Sequence, residues 1–161
     1  MKSVLIKKLL IIKAVSMQQL DGNLQKIEEM YPDCLIDVLT HQHSVDMVKC
    51  YPTVNEVIPY NYNRGFSIFR RVKDIEEYDY VIITVGNYTA KGFKNVLLFA
   101  TTIKASEYWI CNVASDLSRF SKVTCAYELL KNLAIYTLAI ILTILFAPFI
   151  FLIIFKHWLE K

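Results

Sequence analysis

The sequence predicts an α/β head built on a Rossmann-like parallel sheet with flanking helices, followed by one C-terminal membrane helix. Three observations carry this. Branched apolar runs such as LLIIKAV, CLIDVLT and YDYVIITV alternate with stretches of helical period, and such alternation implies β-α-β units. The runs are nearly continuous, as expected of parallel strands covered on both faces. Finally, Leu133 to Phe155 contains no charged residue, and about 20 apolar residues suffice for a helix to cross a hydrocarbon core roughly 30 Å thick.

The elements follow in order. Leu9–Val15 reads as a buried first strand. Met17, Leu20, Leu24, Ile27 and Met30 recur at helical spacing, which predicts a helix over Ser16–Met30 that Pro32 ends. Cys34–Thr40 is a second strand, Ser44–Cys50 a short helix, and Val54–Tyr60 a third strand. Phe66, Phe69, Val72 and Ile75 sit three apart and predict a helix over 66–75. Tyr78–Val85 is the clearest strand. A helix from about Thr89 to Thr101 and a fifth strand over Ser106–Cys111 follow. Ala114–Thr124 is polar enough to join head to tail, with helix resuming near Ser121. The expected domains are a head over 1–120, a helical linker over 121–132, a membrane helix over 133–155 and a short tail over 156–161.

The tail admits two geometries. Pro148 removes one helical hydrogen bond and kinks the segment. Either one kinked helix spans the bilayer, or it breaks near Pro148 and re-enters. Length favours the span. Lys131 precedes the segment and Lys156, His157 and Lys161 follow it, so charge leaves the orientation open and leans slightly toward re-entry. Leu133, Pro148 and Phe155 mark the membrane segment, and Trp158 is an interface anchor.

Composition excludes several functions. A net charge of +3 without any Lys/Arg block argues against nucleic acid. Cys34, Cys50, Cys111 and Cys125 form no C-x-x-C pair, so neither a zinc ribbon nor a redox motif is expected. Reduced, partly buried thiols fit a cytosolic head. Lys7, Lys8 and Lys13 break the early apolar run, so no secretory h-region is read there.

Other motifs fail on spacing. GNYTAKGFK has glycines one residue too far apart for a phosphate loop, and Phe93 follows the second. His41 and His43 lack a third ligand. No metal, no cofactor and no catalytic residue is expected. Asn87-Tyr88-Thr89 matches a glycosylation acceptor that a cytosolic head would not use.

Two segments together resemble the N-terminal half of bacterial heptosyltransferases and their relatives, glycosyltransferase family 9. They are YPDCLIDVLTHQHSVDMVKCYPTVNEVIPYN (Tyr31–Asn61) and YDYVIITVGNYTAKGFKNVLLFATTIKAS (Tyr78–Ser106), with LLIIK (Leu9–Lys13) fitting the first strand. The resemblance implies half of a GT-B fold, the half that binds the acceptor, usually a lipid-linked saccharide. It also implies a bacterial inner membrane, and with no export signal read at the N-terminus the head is expected on the cytoplasmic side. Two departures matter. The family typically has Ser-x-Gly-Asp after its first strand, where this chain reads Lys13-Ala14-Val15-Ser16-Met17-Gln18-Gln19. No donor domain follows the head. Sugar transfer needs a base and stabilisation of the departing phosphate, and neither is visible. The expectation is therefore a non-catalytic accessory or interaction subunit with a protein partner in a membrane complex. One alternative is half of a split glycosyltransferase. Another is a structural subunit. Ligands of open α/β sheets bind outside the C-terminal strand ends, which selects Lys13, Ser16, His41, His43, Gly86, Asn87 and Tyr88 as the ligand or partner surface.

Overall fold

The computed structural model describes residues 6–72 and 75–159, the stretch 149–159 by its backbone alone. The chain divides into two compact units, Met1–Ser121 and Lys122–Lys161.

The first unit contains β1 (Lys7–Ile12), α1 (Met17–Met30), β2 (Cys34–His41), a 3-10 turn (Gln42–Ser44), α2 (Val45–Val48), β3 (Val54–Tyr60), β4 (Tyr78–Thr84), α3 (Lys94–Ala100), β5 (Ala105–Cys111) and β6 (Leu117–Phe120). The strands form one sheet in the order β3-β2-β1-β4-β5-β6. β1 to β5 are parallel, and β6 runs antiparallel to β5. The sheet is therefore mixed, not wholly parallel as the strand–helix alternation implied.

β1 lies at the centre, and Leu9, Leu10, Ile11 and Ile12 are all fully buried. Leu9 and Ile11 pack with Leu20, Leu24 and Ile27 of α1 and Val48 of α2. Leu10 and Ile12 pack on the opposite face with Phe66, Val96 and Phe99. Both faces being covered explains the unbroken apolar strands. Ser16 caps α1 by accepting from the Gln19 amide at 3.3 Å, satisfying one of the donors a helix start leaves free. At the other end the Tyr31 amide donates to the Ile27 carbonyl at 2.9 Å, and Pro32 follows.

One buried carboxylate inside the sheet is paired. The buried Asp37 carboxylate accepts from Asn55 Nδ2 at 2.8 Å and from the Tyr78 hydroxyl at 3.0 Å. Burial, and then the Asp37 charge, push the Tyr78 phenol above its ordinary range.

Three expectations change. The helix expected over 66–75 is absent among the described residues, Lys73 and Asp74 lying outside them. A helical stripe would bury Phe66, Phe69, Val72 and Ile75 together. Instead Phe66 packs on Tyr60 and Phe99, with ring centroids 4.7 and 5.1 Å away, while Phe69 is 89% exposed. Val72 and Ile75 rest on the same cluster, and neither stands in a helix. The second change is in α3, which begins at Lys94 and not near Thr89. Ala90 and Gly92 have φ of 55° and 88°, outside the helical region. The third is in the stretch expected to join head to tail, which contains β6. Asn112 Oδ1 accepts from the Ala114 and Asp116 amides at 2.8 and 3.0 Å, and this side-chain-held turn reverses the chain.

The second unit is α4 (Lys122–Leu159), a single helix of 38 residues that continues through Pro148. At 1.5 Å per residue it extends about 57 Å. The break that re-entry requires does not occur in its backbone. Lys122–Pro148 is long and apolar enough to cross a membrane and is unburied. Leu133 is 62% exposed. Thr137 and Thr143 donate their hydroxyls to the Leu133 and Ala139 carbonyls, each at 2.8 Å, so the helix itself satisfies these polar groups, as hydrocarbon demands. The side chains of Phe155 and Trp158 lie outside the described residues.

Candidate functional site

A cavity of about 330 Å³ opens beyond the C-terminal ends of β1 and β2. It adjoins the boundary between β1 and β4, where the chain, having built outward through β2 and β3, crosses back to start the other half of the sheet. This is the topological switch point at which open α/β sheets hold ligands.

Lys13 and Ala14 form its floor. Thr84, the last residue of β4, fixes their backbone. Its hydroxyl donates to the Ile12 carbonyl and accepts from the Ala14 amide, both at 3.1 Å. The Lys13 amide donates to the Leu39 carbonyl at 2.9 Å. Lys13 is only 8% exposed. Its ammonium donates to the Val15 carbonyl at 2.9 Å and lies 3.4 Å from Ser44 Oγ. No carboxylate among the cavity-lining residues meets it, and burial lowers its pKa from the usual lysine value. A buried ammonium with only neutral partners is costly.

β2 delivers Thr40 and His41, and the 3-10 turn delivers His43 and Ser44. The His41 ring stacks on Tyr60 at 5.2 Å and meets Phe66 edge-on at 4.6 Å. The His43 ring lies 5.9 Å from it. Burial first, then the proximity of His43 and Lys13, lowers the His41 pKa. Thr40 is almost fully buried, and its hydroxyl has no hydrogen-bond partner among the described residues. The remaining wall comes from Gly65 and Phe66 and from the Gly92–Val96 segment, where Asn95 is exposed. Gly92 stands at φ 88°, a backbone that a side chain strains.

Of the surface selected from sequence, the structure gathers Lys13, His41 and His43 around one cavity. Ser16 is engaged as the α1 cap. Gly86 follows β4 on the side of Gln19, whose amide donates to the Val85 carbonyl at 2.9 Å. Asn87 braces its own loop through the Lys91 carbonyl at 2.7 Å, and Tyr88 is 73% exposed. These four do not line the cavity. Sequence reasoning missed Thr40, Ser44, Gly65, Phe66, Gly92 and Asn95. The first two lay within reach, since they flank His41 and His43. The others arrive from segments whose expected helices do not form as drawn.

Chemically, the cavity offers one ammonium, two imidazoles, two hydroxyls and an amide, and no carboxylate. It can donate hydrogen bonds and attract negative charge. It holds no acidic side chain, so its two imidazoles are the groups that can accept a proton. Among the described residues, no group of three His, Cys, Asp or Glu side chains is placed to hold a metal ion. Comparisons with family models, with curated proteins and with solved structures return no match.

Proposed function

We propose that this chain is a membrane-anchored α/β binding module, an accessory or interaction subunit and not a transferase by itself. The observation that carries the reading is the pairing of an unburied apolar helix, long enough for a bilayer, with a switch-point cavity lined by cationic and hydrogen-bonding groups. The likeness of Tyr31–Asn61 and Tyr78–Ser106 to the acceptor half of family 9 glycosyltransferases supports a ligand drawn from lipid-linked saccharides. It also supports a protein partner at the membrane.

The test has two arms. The full chain should stay with membranes through alkaline carbonate extraction. Mild detergent should then recover it with a stoichiometric companion whose retention drops in His41→Gln and Asn95→Ala. Release of the chain by carbonate would overturn the anchoring. Sugar-nucleotide turnover by the isolated chain would overturn the non-catalytic role.

A further inference from the structure

Among the described residues Lys13 is the most heavily buried lysine or arginine of the head, and no counter-charge lines its cavity. The residue is 8% exposed, and its partners are the Val15 carbonyl and the Ser44 hydroxyl. Folding rarely buries a charge without a partner, because desolvation costs several kcal/mol that a carbonyl and a hydroxyl do not return. Three further features of the same wall point the same way. His41 and His43 stand side by side on it. The Thr40 hydroxyl, almost fully buried, is unpartnered among the described residues. The lining residues include no Asp or Glu that could complete an ion pair from within.

We propose that the cavity is an anion site for a phosphate or pyrophosphate group, with Lys13 supplying the charge, Thr40 and Ser44 donating hydroxyls, and His41 and His43 closing the rim. This inference names the ligand class of the binding module and rests on that reading. The donors follow β1, end β2 and stand in the 3-10 turn, and several hydroxyl and cationic donors converging on one cavity suit an anion with many acceptor oxygens. The group could belong to a lipid headgroup or to a soluble phosphate ester, since the recognition chemistry is shared.

The experiment uses the full chain in phosphatidylcholine nanodiscs and follows the ring-proton NMR signals of His41 and His43. Soluble pyrophosphate is titrated in one arm. In the other, phosphatidic acid is built into the disc. A saturable movement of both signals is expected in at least one arm. Movement with pyrophosphate alone assigns a soluble source, and movement with phosphatidic acid alone assigns a headgroup. Lys13→Met should weaken the response at least tenfold while leaving the ligand-free unfolding temperature unchanged or higher, because it removes an unpaired buried charge. A lysine serving only to brace Val15 would lower that temperature and leave the response intact. Should Lys13→Met not fold, the rim variants His43→Gln and Asn95→Ala, both at exposed positions, should each weaken the response severalfold. No movement in either arm, or equal responses in wild type and variants, would overturn the anion site. The anchoring would still be judged separately by carbonate extraction.

Discussion

Thr84 shows how one side chain sets the site. It is fully buried, and its hydroxyl spans the Ile12 carbonyl and the Ala14 amide, holding the turn that places Lys13 under the cavity. Thr84→Val keeps the shape and deletes both bonds, one to a buried carbonyl and one to a part-buried amide. Its expected cost is about 1–3 kcal/mol, read as a lower urea midpoint of the full chain in neutral micelles. His41 gives a second prediction. Its folded pKa lies below its unfolded value. As pH falls through the ordinary imidazole range, near 6.5, the unfolded chain takes up a proton that the folded chain resists. Stability should therefore fall between about pH 7 and pH 5 and flatten once the folded state also protonates. His41→Asn should flatten that slope in the same urea titrations. The residues behind these predictions differ in how openly the sequence displays them. Lys13, His41 and His43 could be placed by topology alone, since each closely follows a recognisable strand. Thr84 looked like one more β-branched strand residue, and its role depends on a neighbour 72 positions earlier in the chain.

Among the elements, those with a strong apolar period were legible and those held by polar side chains were not. β1, β2, β4 and α1 bury long apolar stripes, and their periodicity fixed them to within about a turn. β6 has only Leu117 and Phe120 as apolar residues, because an edge strand is half solvated. What creates it is the Asn112 turn, a hydrogen-bonded feature invisible to hydropathy. The 66–75 segment misled for the opposite reason. Its apolar residues do recur at spacing three, but they plug the cluster one at a time, and Phe69 does not join them. The turn before α3 depends on Gly92 at φ 88°, so Gly92→Ala should cost about 1–2 kcal/mol through left-handed strain. The check is a drop of several degrees in unfolding temperature together with a weaker pyrophosphate response, since Gly92 also lines the cavity. For α4, two arginines at Leu138 and Leu142 place charge in the middle of the apolar span. Each should cost about 2.5–3.5 kcal/mol of insertion, seen as the chain moving from the carbonate-resistant pellet to the supernatant or into aggregates.

At the scale of the whole molecule, the chain joins two designs with different solvents. The head buries its apolar residues on both faces of a six-stranded sheet, whereas α4 displays its apolar residues and holds the Thr137 and Thr143 hydroxyls against its own carbonyls. This division explains why composition alone would mislead, since 55% apolar residues average a normal head with an oily rod. It also predicts that the units respond separately: Leu138→Arg/Leu142→Arg should alter membrane retention without moving the His41 and His43 NMR signals.

The counter-running β6 has a consequence for engineering. It pairs from Leu117 beside Cys111 to Phe120 beside Tyr108, so the polypeptide quits the sheet heading away from the edge where Lys13 and His41 sit. A longer leash, spliced in after Ser121, would thus leave the mouth of the cavity untouched, and reach could be varied while affinity stays constant.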